Sequence, residues 1–337
     1  MPTCNIPLVS RALPLVKSFS LSHLFSGNLQ QTNKYSMMKI LVSSLFIGMF
    51  YISTCVQAQV YFKTEYGTSS LFKDENNVET SGSGDYTKMQ GGFSLPLQYK
   101  QYENGRIRMW AVSFDVAYGL FGNNKIPTDL HPDEILNTSV SLSFLTPLSE
   151  RWSLLAILGG GIYSKPSQIS AKSLLGNGGA LFIYHILNNL DIGVGVGLTN
   201  SYGTPMGLPM GYINWRIDGK YELKVNMLEN MEISGAVNLN NKIKLRLIGF
   251  ELDGMSSVMN IDGKSKIFGT VSMKSGLQAD FRLGKASTLQ ITGGGNWYRD
   301  AVVVNRSIKD YFRWFGREYD PSFKTAAYFS IGYNYGF

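Results

Sequence analysis

The chain has 337 residues, 44% of them hydrophobic and only 16% charged, with 19 Tyr, 19 Phe and 36 Gly. That composition suits amphipathic membrane strands; it excludes a disordered chain and lacks the continuous apolar runs of a helical membrane protein. The formal net charge of +7 overstates the basic character: Arg11, Lys17, Lys34 and Lys39 precede the expected mature chain with no acid beside them, leaving 27 basic against 24 acidic residues. A nucleic-acid footprint is excluded, since that would concentrate basic residues on one face without apolar alternation.

Residues 1–36 carry neither strand alternation nor a signal layout and are expected to be an upstream extension without a fold, added by a misassigned start codon. From Met37 the order is that of an export signal: Met37, Met38 and Lys39 form a short basic start, Ile40 to Ile52 an apolar core, and Val56-Gln57-Ala58 a small-residue cleavage site. Residues 37–58 are therefore read as a signal peptide and 59–337 as the mature domain. Ile52-Ser53-Thr54-Cys55 resembles a lipid-attachment motif, but Thr54 is a poor residue before the modified cysteine, and cleavage after Ala58 fits better. Cys4 and Cys55 both precede that site. The mature chain is thus expected to carry no thiol and no disulfide, cysteine-zinc or cysteine-nucleophile chemistry.

Beyond Gln59 the dominant period is two, which places successive side chains on opposite faces of a strand. Trp110, Val112, Phe114, Val116 and Tyr118 oppose Ala111, Ser113 and Asp115; Leu136, Val140, Leu142 and Phe144 oppose Asn137, Ser139, Ser141 and Ser143. Leu190, Ile192, Val194, Val196 and Leu198 oppose Asp191, Gly193, Gly195, Gly197 and Thr199. Later, Val271, Met273, Leu277, Ala279, Phe281 and Leu283 oppose Thr270, Ser272, Lys274, Gln278, Asp280 and Arg282. Short turns fall near Asn104-Gly105, Pro147 to Arg151, Asn188-Asn189, Asp218-Gly219, Asn240-Asn241 and Gly284 to Ser287. Longer segments alternate with them: Thr68 to Asp85, Gly119 to Glu134, Ser164 to Lys172, Tyr202 to Leu208, Leu252 to Ser265, and Arg299 to Phe323. Only the tight turn near Glu229-Asn230 departs from this alternation. The pattern predicts an all-β, transmembrane, antiparallel up-and-down barrel of about fourteen strands, with twelve or sixteen as the alternatives, short turns and both ends on the periplasmic side. A soluble β-sandwich also alternates, but the faces opposite the apolar ones are too rich in Gly, Ser and charge for a dry core.

At the end of the chain Phe329, Ile331, Tyr333, Tyr335 and Phe337 alternate with Ser330, Gly332, Asn334 and Gly336. This resembles the terminal strand of Gram-negative outer-membrane β-barrels. The resemblance extends over Gln59 to Phe337, and its texture is similar to uncharacterised barrel families of Bacteroidetes. It implies that Tyr333, Tyr335 and Phe337 form a signal read by the barrel-assembly machinery, and that the partners are outer-membrane lipid and lipopolysaccharide.

If the apolar faces meet lipid, the polar faces line a lumen. Register across the Asp218 to Lys220 turn puts Arg216 opposite Glu222 and Asn214 opposite Lys224; Lys244, Arg246, Lys274, Asp280 and Arg282 extend the same sector. It reads either as a self-neutralising structural network or as a basic wall selective for anionic solutes. The opposite sector carries Gly159, Gly161, Gly179, Gly193, Gly195 and Gly197, which leave room for a solute groove or let the wall bend. These strings are not phosphate loops, because no helix pattern and no Lys-Ser/Thr ending follows.

His185 pairs with Asp191 near the periplasmic rim, read first as a local hydrogen bond rather than a general base. His131 lies in an outer loop beside Pro132, Asp133 and Glu134. Two isolated histidines give no metal-ligand spacing, and no cofactor motif is present. Outer-membrane lipases and lipid A deacylases place a Ser-His pair at the outer or lipid-facing rim. Here His185 lies at the other end and His131 has no identifiable serine, so an enzyme is the least favoured reading. Ile308, Tyr311, Phe312, Phe315 and Tyr319 recur at helical spacing beside Lys309, Arg313 and Arg317. That segment reads as a helix on the rim, a plug in the lumen, or a platform for lipopolysaccharide phosphates. The expected function is a passive pore or solute conduit with mild anion preference. The alternative is a non-conducting structural or binding barrel with a loop plug, and no segment for an energised transporter precedes the first strand.

Overall fold

The computed structural model describes residues 58–305 and 320–336, apart from 129, 201–205 and 228–230. Residues 1–36, residues 37–57 of the expected signal peptide, the turn expected at Glu229-Asn230, the aromatic segment from Ile308 to Tyr319 and Phe337 lie outside the described residues. The fold is an antiparallel barrel of fourteen strands. Its strands are β1 (Gln59–Lys73), β2 (Glu79–Gln101), β3 (Ile107–Asn124), β4 (Glu134–Pro147), β5 (Trp152–Ser164), β6 (Leu174–Leu187) and β7 (Leu190–Thr199). They continue with β8 (Met206–Ile217), β9 (Tyr221–Met227), β10 (Met231–Asn238), β11 (Ile243–Ile261), β12 (Lys264–Arg282) and β13 (Ser287–Asp300). Short β14 (Val302–Asn305) and β15 (Ser322–Phe323) continue β13 and the last strand, β16 (Ala326–Tyr335). Each strand pairs with the next, and β1 closes on β16 with Val60 opposite Tyr335. Closure leaves the ring without an edge strand, which a wall lying in lipid requires.

The alternating faces sort as an outer-membrane barrel demands. Val194, Val196, Leu247, Leu277 and Ile291 are exposed on the outer face, while the polar partners between them point inward. The start of β1, the end of β16 and the turns at 102–106, 148–151, 188–189, 218–220, 239–242 and 283–286 share one rim, the periplasmic one in such barrels. At the Asp218-Gly219 turn both residues take positive φ, 48° and 65°, the geometry of a two-residue hairpin that favours Asp-Gly.

The opposite half departs from a plain cylinder. The segments expected as long loops at Thr68 to Asp85 and Leu252 to Ser265 are mostly strand: β1 and β2 run to a turn at 74–78, and β11 and β12 meet at Asp262-Gly263 with φ of 52° and 74°. Strands β7 to β10 have only 10, 12, 7 and 8 residues, whereas β11 and β12 have 19 each. The pairing of β11 with β10 ends at Leu252. Past that point β11 leans across the barrel to β4 and β5: Val258 pairs in parallel with Ser164, and the Asn137 amide bonds Ser256 through both its nitrogen (2.6 Å) and its oxygen (3.2 Å). Ser256 also donates to the Asn200 carbonyl, and the Asn260 N–H donates to Gln168. Above Leu252, therefore, β11 has left β10 and closes a narrower ring through its one bridge to the end of β5, with Leu175 of β6 packed against it.

That narrower ring is filled. Met255 to Val258 and Met259 are buried on both faces of β11. One face packs with Phe72, Phe121, Ile135, Phe268 and Phe323, and the other places Val258 and Ile267 against Tyr163 and Leu175. Cysteines introduced at Ser164 and Val258 are expected to cross-link in the folded barrel, read as a mobility change on a non-reducing gel. A pair that stays reduced under an oxidant would show that β11 does not lie beside β5.

Candidate functional site: the barrel lumen

Three layers occupy the lumen. Nearest the periplasmic rim is the charged wall. Arg216 stands opposite Glu222 and Asn214 opposite Lys224, as the turn register requires. Lys244 bonds Glu222 at 3.0 Å; Arg246 bonds Glu232 at 3.0 Å and lies 3.8 Å from Asp280. Arg282 donates to the Asn238 side chain and the Asn241 carbonyl. Arg216, Lys224, Lys244, Arg246 and Arg282 thus face three carboxylates, Glu222, Glu232 and Asp280. The two sequence readings, network and basic wall, both describe parts of it: Asp191 of β7, in register with Asn214, adds a fourth carboxylate on this side of the lumen, so the ion pairs cross-link the wall and one cation remains in excess. Glu232 was missed because its strand, β10, has only eight residues, with Ser234 and Asn238 as the other inward polar ones and Ala236 between them.

The middle layer was not legible as a unit. Lys274, expected beside Asp280 and Arg282, lies apart from them with a fully buried side chain. The register shifts beside it in β12 and at Ile248/Glu251 in β11 turn it toward β1 instead. Its ammonium bonds both Glu65 oxygens at 2.8 and 2.9 Å and Asp253 at 3.1 Å, with Glu251 at 3.6 Å. Lys88 bonds Asp253 at 2.6 Å, Lys63 sits 3.3 Å from Glu65 and 3.6 Å from Glu251, and the Tyr86 hydroxyl donates to Glu65 at 2.8 Å. Three lysines and three carboxylates neutralise one another across strands β1, β2, β11 and β12. Charges withdrawn from water in this way are tolerated only when paired and hydrogen-bonded. The same-face spacing of Lys63 with Glu65 and of Glu251 with Asp253 was the available signal.

The outer layer is the apolar seal. His131, in the loop between β3 and β4, is 1% exposed and meets Phe121, Phe268 and Phe323 edge-on with centroids 4.9 to 5.4 Å apart. Burial, with Arg299 adding to it, lowers its pKa to about 3, so the ring is neutral. Arg299 stacks on Phe323 at 3.7 Å and donates to the Gly84 carbonyl at 3.0 Å. Between Lys88 and Asp253 of the middle layer and the β3–β8 wall lies a cavity of about 270 Å³, lined also by Gln90, Asp115, Ser139, Asn177 and Met210. The glycines of that wall serve curvature: a Cβ at Gly161 would strike the Thr138 carbonyl oxygen, and one at Gly195 the Ala180 carbonyl oxygen.

His185 and Asp191 meet at 2.6 Å on the periplasmic side of the same wall. Tyr333 and Tyr335 lie on β16, paired with Leu289 and Ser287 of β13. Among the described residues no group of His, Cys, Asp and Glu is arranged to hold a metal.

A family model described as Domain of unknown function (DUF6268) matches residues 54–336. No curated protein matches the chain. Among solved structures, the barrel is similar to the porin NanC, with 10% identity over 82% of this chain and 98% of that one at a TM-score of 0.34. It is also similar to an outer membrane channel from Pseudomonas putida F1, with 11% identity over 84% and 96% and a TM-score of 0.40. A third likeness is to the translocator domain of the autotransporter NalP from Neisseria meningitidis, with 13% identity over 90% and 96% and a TM-score of 0.33.

Proposed function

The chain belongs to the DUF6268 family, and we propose that this outer-membrane barrel is a solute conduit held closed by its own β11–β12 hairpin, with a basic vestibule facing the periplasm. The observation that carries the reading is the lean of β11 onto β5. A fourteen-stranded wall encloses more space than its own side chains need, yet here the outer ends of β11 and β12 fill that space. A purely structural barrel would need no such rearrangement. Passage follows if the hairpin swings back toward β10, and it needs no chemistry from the wall. Export is through the signal peptide at 37–58, and the last strand addresses the assembly machinery.

The excess of one cation among the lumen charges beside the periplasmic rim favours anions once the conduit opens. With the hairpin residues 255–270 replaced by an Asn-Gly turn, proteoliposomes are expected to pass small organic anions several-fold faster than cations of equal size. Replacing Lys244 and Arg246 with glutamine should remove that preference without reducing the flux of neutral solutes. Equal anion and cation rates before those replacements would refute the basic vestibule.

A further inference from the structure

Three neighbouring strands place a serine, a histidine and an aspartate in line on the lumen face. The hydroxyl of Ser153, at the start of β5, lies 2.9 Å from Nε2 of His185 on β6. Nδ1 of the same ring lies 2.6 Å from Oδ1 of Asp191 on β7. A carboxylate can only accept, so Nδ1 carries the proton that it donates to Asp191, and Nε2 is left with a lone pair for the Ser153 O–H. This is the tautomer a general base needs, and such an arrangement is recognised by geometry and roles, not by chain order. The lattice of strands holds it: Asp191 stands in register with His185, Ser153 with Ile183, and the His185 N–H donates to the Arg151 carbonyl at 2.9 Å. Ser153 is 4% exposed, while the His185 and Asp191 side chains are 12% and 24% exposed toward the vestibule.

We infer that Ser153 is a nucleophile, activated by His185 and oriented through Asp191, that cleaves small carboxylic esters entering the vestibule from the periplasm. Ser153 Oγ attacks the ester carbonyl carbon while its proton passes to His185 Nε2, and the resulting imidazolium is stabilised by Asp191. As the tetrahedral centre collapses, the bond from carbonyl carbon to alkoxy oxygen breaks and the alcohol leaves with the Nε2 proton, giving an acyl-Ser153. Water then attacks the acyl carbon, its proton returning through His185, and the carboxylic acid departs. Esters rather than amides follow from the surroundings. Ser153 is paired on both sides, with Pro147 of β4 and Ile183 of β6, so its strand backbone does not present the pair of free N–H groups that an oxyanion hole supplies. One missing donor of that kind costs about 10²–10³ in rate, which confines the site to substrates with good leaving groups.

This proposal is independent of whether the barrel conducts. Its test is the purified, folded barrel in detergent treated with a fluorophosphonate probe and, separately, with p-nitrophenyl acetate. The expected result is a phosphonyl adduct located on Ser153 by mass spectrometry, and a burst of one nitrophenolate per barrel followed by slower steady release. Ser153→Ala should abolish both, and His185→Gln should slow both by about 100-fold or more while heat-modifiable gel mobility stays that of the wild type. A folded barrel left unlabelled at Ser153, labelling that persists at the wild-type rate in His185→Gln, or no burst would each overturn the proposal.

Discussion

Lys274→Ala is expected to destabilise the folded barrel by about 3–5 kcal/mol, the usual cost of removing one partner from a buried ion pair. The size follows from what the ammonium leaves behind. Glu65 and Asp253 are both nearly buried, at 2% and 6% exposure. Glu65 would retain Lys63 at 3.3 Å and the Tyr86 hydroxyl, and Asp253 would retain only Lys88. Three carboxylates would then share two lysines out of reach of water, which leaves one negative charge uncompensated. Denaturant titration of the barrel in detergent, followed by tryptophan fluorescence, measures the loss. Lys324→Ala supplies the comparison, because its pair with Glu79 at 2.7 Å is half exposed on both sides and its removal should scarcely move the midpoint. Replacing Lys274 with methionine and Glu65 with leucine together should recover part of the loss, since Asp253 keeps Lys88 and Glu251 keeps Lys63. Equal midpoints for Lys274→Ala and Lys324→Ala would mean that the cluster is hydrated and does not hold the lumen layers together.

The wall of the barrel was legible in the sequence because lipid and lumen impose a strict alternation on it. Val194 and Val196 against Gly193 and Gly195, and Leu245 and Leu247 against Lys244 and Arg246, fix the inward face without any knowledge of neighbours. The turns were equally legible where register is short-range, as at Asp218-Gly219 between Arg216 and Glu222. Alternation stops being informative where a strand has no lipid face. Met255, Ser256, Ser257, Val258 and Met259 are buried on both sides, so they read as a loop, although Asp262-Gly263 just beyond them is a strong two-residue hairpin signal.

Long-range partners were out of reach for a different reason. Lys274 and Glu65 are separated by 209 positions and Ser153 and His185 by 32, and nothing local announces either meeting. Asp191 was found because it lies directly across a two-residue turn from His185. Ser153 sits one strand further on and two residues out of simple register, which is why the sequence showed a histidine with an acid but no serine.

The seal and the conduit together make the account's central claim, and single-channel recording in planar bilayers tests it most directly. The leaning part of β11 and β12 is a continuous two-stranded unit from Gly254↔Val271 to Ile261↔Lys264. Replacing residues 255–270 by an Asn-Gly turn removes Met255, Val258, Met259, Ile267 and Phe268 from both apolar clusters while keeping Lys274, Glu65 and Asp253 paired below. The fourteen-stranded wall stays closed through β1 and β16. The wild-type barrel is expected to give no steady conductance, and the shortened barrel a stable open level in every inserted molecule. A steady open level in the wild type would contradict the seal, and silence in the shortened barrel would contradict the conduit.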